Sequence, residues 1–433
     1  MHRKAGIAPP QPVVIVVEKL KSCGHTAYIA GGAVRDMIID QRRPVDWDIA
    51  TSATPAEVSS CFEHVVPTGL AHGTVTVIEE GMSIEVTTYR HDGPYVDGRR
   101  PEHVVFLDDI AADLARRDFT INAMAFDPTT GELVDPYGGV SDIEARLIRC
   151  VGDPAERFSE DKLRMLRAVR FAATLGFSVD SSVVDAARAL APGIVQVSVE
   201  RIMDELVKTV RAPKPGAALV LMEDMGLAPY ILPELCCEVG EEERKALYAA
   251  CDRLHPEPKE RFAALLSPLG PNGARIALAR MRVSNQFSIT VSRIIEGAQN
   301  LGQNPSDYEL RLTASRVGQD CLLPAVRLNR ALCRQGTGSL AVADLGSEGI
   351  EAVESLEERA GSVLAAKPAL RIADLDISGK EVMEATGLSQ GPRVRIVLQR
   401  LLDQVLHDPS ANKKECLLEM ATGIAEEMEQ ELA

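Results

Sequence analysis

Aromatic residues are scarce in this chain. They make up 4% of 433 residues, and there is one tryptophan, Trp47. The cores must therefore be aliphatic. No apolar run approaches the roughly 20 residues of a membrane-crossing helix, which excludes a helical membrane protein. The apolar run Val13–Val17 behind the basic start is too short for a secretion signal. It is expected to open a helix behind a loose arm. Cysteine occurs nine times, an odd and scattered set without Cys-x-x-Cys. That excludes a disulfide frame and a cysteine-built zinc site, and it fits reduced thiols in a cytoplasm. Positive charge is in deficit, with 47 Lys and Arg against 63 Asp and Glu, a net charge of −16. Global charge thus excludes a non-specific nucleic-acid binder, and any nucleic-acid partner must meet a local basic patch. No helical repeat of constant period stands out. The length suggests two to four domains.

The densest chemistry lies in Tyr28–Ile49, YIAGGAVRDMIIDQRRPVDWDI. A short apolar strand is expected to end in Gly31–Gly32. A helix start carrying Arg35 follows, and a second strand delivers Asp46 and Asp48. Two glycines let backbone approach a bulky group closely. Helix-start N–H groups favour an anion, and Arg35 adds charge-assisted donors. Asp46 and Asp48 are two apart, so on a strand they share a face. Two carboxylates on one face repel unless a cation lies between them, and hard oxygen ligands beside phosphate suit Mg²⁺. Taken singly, a Gly-Gly turn is usually only a turn and Asp-x-Asp a solvated strand end. Their order within one βαβ-sized unit favours a nucleoside triphosphate held by glycine backbone, its metal held by aspartates. No Gly-Lys-Ser/Thr follows the glycines, so this is not a Walker loop. Nor is it a Gly-x-Gly-x-x-Gly dinucleotide site.

Around this stretch the pattern is α+β. Pro12–Gly24 reads as a helix with Val13, Val16, Val17 and Leu20 on one face. Thr54–Phe62 carries a capping signal in Thr54 and Glu57. Gly73–Ile78 and Ile84–Tyr89 read as a hairpin. Glu85 on its second strand is either a surface residue or a third carboxylate beside Asp46 and Asp48. Arg90–Phe106 reads as a long loop, either a gate beside the phosphate site or a flexible insertion. In Leu114–Phe126 a helix would place Asp118 and Asn122 on one face. There they can hold ribose hydroxyls, while Arg116 and Arg117 hold phosphate. Asp118 can equally cap that helix. Asp135–Gly139 is a turn that can end the first domain. Ser159–Phe177 reads as one helix capped by Ser159. On it Asp161 and Arg164 form an i,i+3 pair, and Arg167 and Arg170 continue the row. Spacing alone makes that pair an ordinary ion pair on a solvated face. From residue 180 onward everything reads helical, including Ser181–Leu190 and Val199–Val210. The His91–Asp92 and His407–Asp408 doublets lack the further ligands of a metal phosphohydrolase.

GGAVRD with DWD (Gly31–Asp48), RRDFTINAMAF (Arg116–Phe126), DPYGG (Asp135–Gly139) and EDKLRMLRAVRF (Glu160–Phe171) together resemble the class II tRNA nucleotidyltransferases. These are the bacterial CCA-adding enzymes and their poly(A) polymerase relatives. YRHDGPYVDGRRP (Tyr89–Pro101) is similar to the family's flexible loop. The matches cover about the first 180 residues in family order, and the C-terminal half is similar more loosely. The resemblance implies a small mixed β-sheet nucleotidyltransferase head (1–149), then an all-α neck (150–230), body (231–350) and tail (351–433). It implies Mg²⁺ on Asp46 and Asp48, with Gly31, Gly32 and Arg35 on the triphosphate. Arg117, Asp118 and Asn122 would select the ribose. Asp161 and Arg164, in one row with Arg167 and Arg170, would pair with the base of CTP or ATP. The partner would be a tRNA acceptor end, and no membrane or particular oligomeric state is implied. An A-adding enzyme working beside a CC-adding one stays open. The complete loop argues against a CC-adding enzyme, and the acidic C-terminal end against a poly(A) polymerase. Retention of both aspartates argues against a non-catalytic RNA-binding relative.

Asp46→Ala or Asp48→Ala is expected to abolish nucleotide incorporation while leaving tRNA retention on a filter nearly intact. Unchanged turnover would overturn the metal assignment.

Overall fold

A computed structural model describes residues 8–39, 44, 46–70, 73–92, 104–106, 108–302, 304–333 and 347–430. The centre of the Arg90–Phe106 loop, 93–103, lies outside them. The chain divides into two compact units, Met1–Pro233 and Glu234–Ala433.

The first unit opens with α1 (Gln11–Ser22), whose four expected apolar residues are buried. Strand β1 (Ala27–Ala30), helix α2 (Gly32–Ile38), strand β2 (Asp48–Thr51) and helix α3 (Pro55–Cys61) follow. Thr54 and Glu57 close a reciprocal capping box at the start of α3. Strands β3 (Val65–Gly69), β4 (Thr74–Glu79) and β5 (Met82–Thr88) complete the expected hairpin and add one strand to it. The ends of the long loop pair as β6 (Arg90–Asp92) and β7 (Val104–Phe106), where the sequence suggested only irregular backbone. Helix α4 (Ile110–Ala115) precedes β8 (Ala125–Phe126), β9 (Leu133–Val134) and α5 (Gly139–Ala145). The main sheet runs β3-β4-β5-β2-β1-β8-β9. Only β2 and β5 pair in parallel within it, so the sheet is mixed as expected. It is wider than the span 25–90 suggested, because β8 and β9 join beyond β1. Two-residue strands carry too little periodicity to be read from sequence.

Strand β10 (Leu147–Ile148) leads into α6 (Pro154–Glu160) and α7 (Leu163–Leu175). The single helix expected over Ser159–Phe177 is thus two. Asp153 caps α6, and the backbone turns extended at Asp161 before α7 begins. Ser159 lies inside α6 and caps nothing. Strand β11 (Ser178–Val179) precedes α8 (Ser181–Leu190), and α9 (Val199–Val210) follows. Both helices span the residues the periodicity marks. Helix α9 buries Ile202, Met203, Leu206 and Val210 and packs against α7.

The second unit is helical throughout its described residues. Its core includes the fully buried Phe262 and Leu322. Glu260 is buried there too, and Arg327 pairs with both Glu260 and Glu357. No helix of the described residues is long and apolar enough to cross a membrane.

One close approach in the first unit bears on the site. Gly139 opens α5, and a Cβ there would fall on the Thr120 carbonyl oxygen and 2.8 Å from Met124 Sδ. The turn Thr120–Asn122 rests on this glycine. Asp135 holds the same helix start, accepting from the Gly139 and Val140 N–H groups at 2.7 and 2.9 Å. Gly139→Ala is expected to destabilise the protein by about 2 kcal/mol through overpacking. Urea unfolding should show it as a lower midpoint, and an unmoved midpoint would mean that this approach is slack.

Candidate active site

The site is a cleft of about 780 Å³ in the first unit. Every site residue expected from the sequence lines it except Asp46.

The glycine turn forms its floor. Gly31 has φ of +76°, and a Cβ there would sit 2.5 Å from Arg117 Nη1. The backbone conformation therefore favours glycine, and any side chain there would also have to displace the Arg117 guanidinium. Arg35 on α2 is buried. It donates to Asn122 Oδ1 at 2.7 Å and to Asp36 at 2.9 Å, so its guanidinium is held rather than free to search.

One side of the cleft is a carboxylate edge. Asp48 opens β2 and stands level with Glu85 on the parallel strand β5. The Glu85 N–H donates to the Trp47 carbonyl at 3.2 Å. Asp46 is exposed in a bend before β2 begins. The expectation that one strand puts Asp46 and Asp48 on a common face is therefore corrected, because the strand starts at Asp48. The carboxylates still feel each other. Burial raises the pKa of Asp48, Glu85 and Asp46 raise it further, and Arg117 opposes them. Among the described residues no three His, Cys, Asp or Glu side chains converge as a ready metal cage. Hard oxygens whose charges oppose one another still suit a divalent cation, and magnesium needs only one or two carboxylates beside substrate phosphate.

Much of the remaining lining is arginine. Arg35, Arg90, Arg116, Arg117, Arg164, Arg167, Arg170 and Arg201 line the cleft, against four lining carboxylates, Asp48, Glu85, Asp118 and Asp161. Most of these arginines are anchored. Asp113, itself buried, pairs with Arg116 at 2.7 Å and Arg117 at 3.3 Å. Glu205 pairs with Arg170 at 2.6 Å. The guanidinium carbons of Arg170, Arg35 and Arg167 lie 4.1, 5.3 and 5.5 Å from the Phe171 ring centre. Phe171 thus gathers three cations around one aromatic ring.

Asp118 and Asn122 do meet, but not on a helix. Helix α4 ends at Ala115, and Thr120–Asn122 is a single 3₁₀ turn. Asn122 Nδ2 donates to Asp118 Oδ1 at 3.2 Å, and the Phe119 N–H donates to the same oxygen at 2.8 Å. Arg167 reaches Asp118 Oδ2 through Nε at 2.7 Å and Nη2 at 2.6 Å. Four acceptor positions of one carboxylate are then taken. Burial works to raise the Asp118 pKa, yet Arg167 and Asn122 outweigh it and hold the group at about 2. Asp118 caps no α-helix; it fixes Asn122 and Arg167.

The expected Asp161–Arg164 ion pair is not formed. Asp161 pairs with Arg201 on α9 at 2.7 Å. Arg164, buried, pairs with Glu160 at 2.6 Å and donates to the Arg116 carbonyl at 2.9 Å. The break at Asp161 removes the helical register on which the i,i+3 spacing relied. Asp161 Oδ1 instead accepts from the Leu163 N–H at 3.0 Å. Arg201, Glu205, Phe171 and Arg90 escaped the sequence reading. Arg201 and Glu205 gave one signal, charges four apart on the apolar-faced helix α9.

A small mixed sheet whose carboxylate edge shares one cleft with eight arginines is the arrangement a nucleotidyltransferase requires. The Poly A polymerase head domain model matches residues 27–149. An RNA-binding model of polymerase A matches 176–238, and a tRNA nucleotidyltransferase domain 2 model matches 256–421. A CCA-adding enzyme of Geobacillus thermodenitrificans is 37% identical over 94% of this chain and 95% of its own length. One from Anoxybacillus flavithermus is 46% identical, over 57% of this chain and 62% of that protein. The crystal structure of the Bacillus stearothermophilus CCA-adding enzyme in complex with CTP is similar with a TM-score of 0.83 at 31% identity, covering 98% of this chain and 100% of that one. The chain belongs to the CCA-adding enzyme family of tRNA nucleotidyltransferases.

Removing the Asp118 charge strands Arg167 without its anion, so Asp118→Asn is expected to cost about 3 kcal/mol. Because the folded-state pKa lies below the ordinary 3.8, this stabilisation is whole above about pH 4 and is lost as pH falls through about 2. Denaturation of both proteins should show a constant gap at neutral pH that narrows below pH 4. A gap independent of pH would mean that the ion pair is not its source.

Proposed function

We propose that the protein extends the 3′ end of tRNA by C, C and A in turn, using CTP and ATP and releasing pyrophosphate. The observation that carries this reading is that the Asp48–Glu85 edge and eight arginines line one cleft. The first suits a cation, the second a polyphosphate. Asp46 and Asp48 would hold Mg²⁺, with Glu85 as the third carboxylate beside them. When bound, the metal supplies a Lewis acid for the α-phosphate and eases loss of the 3′-hydroxyl proton.

The chain's own residues do the positioning. Gly31 and Gly32 let the triphosphate approach the backbone, and Arg35 and Arg117 donate to its oxygens. Asn122, fixed by Asp118, meets the ribose. Asp161 and Arg164 read the base. Cytosine and adenine both present an amino group beside a ring-nitrogen acceptor. A carboxylate next to a guanidinium complements that pair, and it opposes the carbonyl and N–H that uracil and guanine present. Arg167 and Arg170 hold the wall behind the base and sugar. The tRNA 3′-oxygen bonds to the α-phosphorus as the bond to the bridging oxygen breaks, and pyrophosphate leaves. The same proposal assigns chemistry to the head (1–149), base reading to the neck (150–230) and tRNA contact to the body (231–350) and tail (351–433).

The test is incorporation of labelled CTP and ATP, with Mg²⁺, into tRNA transcripts ending at the discriminator base, after C and after CC. Extension of all three to CCA is the expected outcome. Gain of A by the CC-ended transcript alone would make this an A-adding enzyme. Repeated A addition to any RNA would make it a poly(A) polymerase, and no addition would end the proposal.

A further inference from the structure

Asp161 and Arg164 are offered as a base-reading pair, yet neither holds the other. Arg164 is fixed by Glu160 and by the Arg116 carbonyl. The only side chain paired with Asp161 among the described residues is Arg201, which reaches Oδ2 at 2.7 Å from forty residues away. Asp161 sits at the break between α6 and α7, where helical backbone does not dictate its side-chain direction. An aspartate at such a joint needs a tether if it is to present its oxygens at one angle.

Two further observations mark Arg201 as more than a surface ion pair. Its Nη1 is buried and has no hydrogen-bond partner among the described residues, although the residue lines the cleft. A buried guanidinium nitrogen left unpaired is costly unless a ligand completes it. Its helix is also locked in place. Four residues on, Glu205 pairs with Arg170 of α7 at 2.6 Å. Helix α9 therefore offers a cation and an anion to complementary groups on and beside α7, which fixes both rotation and height. Asp161 accepts one bond on each oxygen, from the Leu163 N–H and from Arg201. Each oxygen can accept one more, so the tether leaves room for an incoming amino group. Asp118, with four positions taken, has no such room.

We propose that Arg201 is a positioning residue for base selection. It orients the Asp161 carboxylate toward the exocyclic amino group of cytosine or adenine, and its unspent Nη1 donor completes the polar ring around the base. The inference rests on the base-reading role of Asp161 given above.

The test is single-nucleotide incorporation by the full chain on tRNA transcripts, with CTP, ATP, UTP and GTP each varied in concentration. R201M is expected to raise KM for CTP and ATP by about tenfold and to lower discrimination against UTP and GTP by a similar factor, with kcat for CTP changed less than about threefold. R201K, which keeps the charge and loses the planar fork, should recover part of the discrimination. If Arg201 acts through Asp161, the D161N/R201M double variant should discriminate no worse than D161N alone. Additive losses, or a fall in kcat with unchanged discrimination, would overturn the proposal. D161N separates the two levels. If D161N itself keeps full discrimination, the base-reading role fails; if D161N loses it and R201M does not, only the role of Arg201 fails. Thermal melting checks that each variant is folded, and R201K carries the same readouts should R201M not fold.

Discussion

Everything in the cleft depends on a solution to like-charge repulsion. Eight arginines lining one cleft would drive each other apart, and burial would penalise each charge further. The fold answers by setting anions and carbonyls against the guanidinium groups. Asp113 serves Arg116 and Arg117, Asp118 serves Arg167, Glu160 serves Arg164, Asp161 serves Arg201 and Glu205 serves Arg170. Arg35, which has Asp36 beside it, is also held by the neutral oxygen of Asn122, which Asp118 fixes in turn. The chain Arg35–Asn122–Asp118–Arg167 thus joins the glycine turn to helix α7 through three side-chain contacts. A wall built this way keeps its shape before a ligand arrives, and the ordering cost is met in folding rather than in binding.

The carboxylate edge has the complementary problem without the same answer. Asp48 and Glu85 stand level on neighbouring parallel strands, and burial, with Glu85 adding to it, raises the pKa of Asp48. Arg117 works against that rise. An edge that folding leaves electrostatically unsatisfied is an edge suited to take a cation. A metal-bound triphosphate is a dipolar object of the right sense, its cation toward the edge and its oxygens toward the wall.

How much of this was legible follows from distance along the chain. Helix α1, the capping box of α3 and the bounds of α8 and α9 rest on residues within a few positions of each other, and the sequence carried them. The glycine turn and its Arg35 were legible for the same reason. The partner of Asp161 was not. A spacing of three points to Arg164 only if one helix contains both, and the extended backbone at Asp161 separates α6 from α7. The true partner, Arg201, belongs to another helix altogether. Asp118 and Asn122 were paired correctly by a wrong route, since a 3₁₀ turn brings together what a helix would also have joined. Phe171 gave no polar signal at all, because its role is to carry three guanidinium groups against one ring.

The acidic net charge shows why composition is a poor guide to a site of this kind. A sum over 433 residues gives −16, yet the cleft lining holds twice as many arginines as carboxylates. At physiological ionic strength charges separated by more than about 8 Å are largely screened. A phosphate entering the cleft therefore responds to the wall and to the carboxylates paired with it, not to acidic helices elsewhere in the chain. Those counter-anions are spent on the arginines they hold, and two of them, Asp118 and Asp161, share the cleft lining with their partners. The sign of the near field is then set by the excess of arginine over carboxylate in that lining. The global deficit of positive charge excluded binding by bulk attraction, and it left this local arrangement as the way for so acidic a chain to hold a polyphosphate.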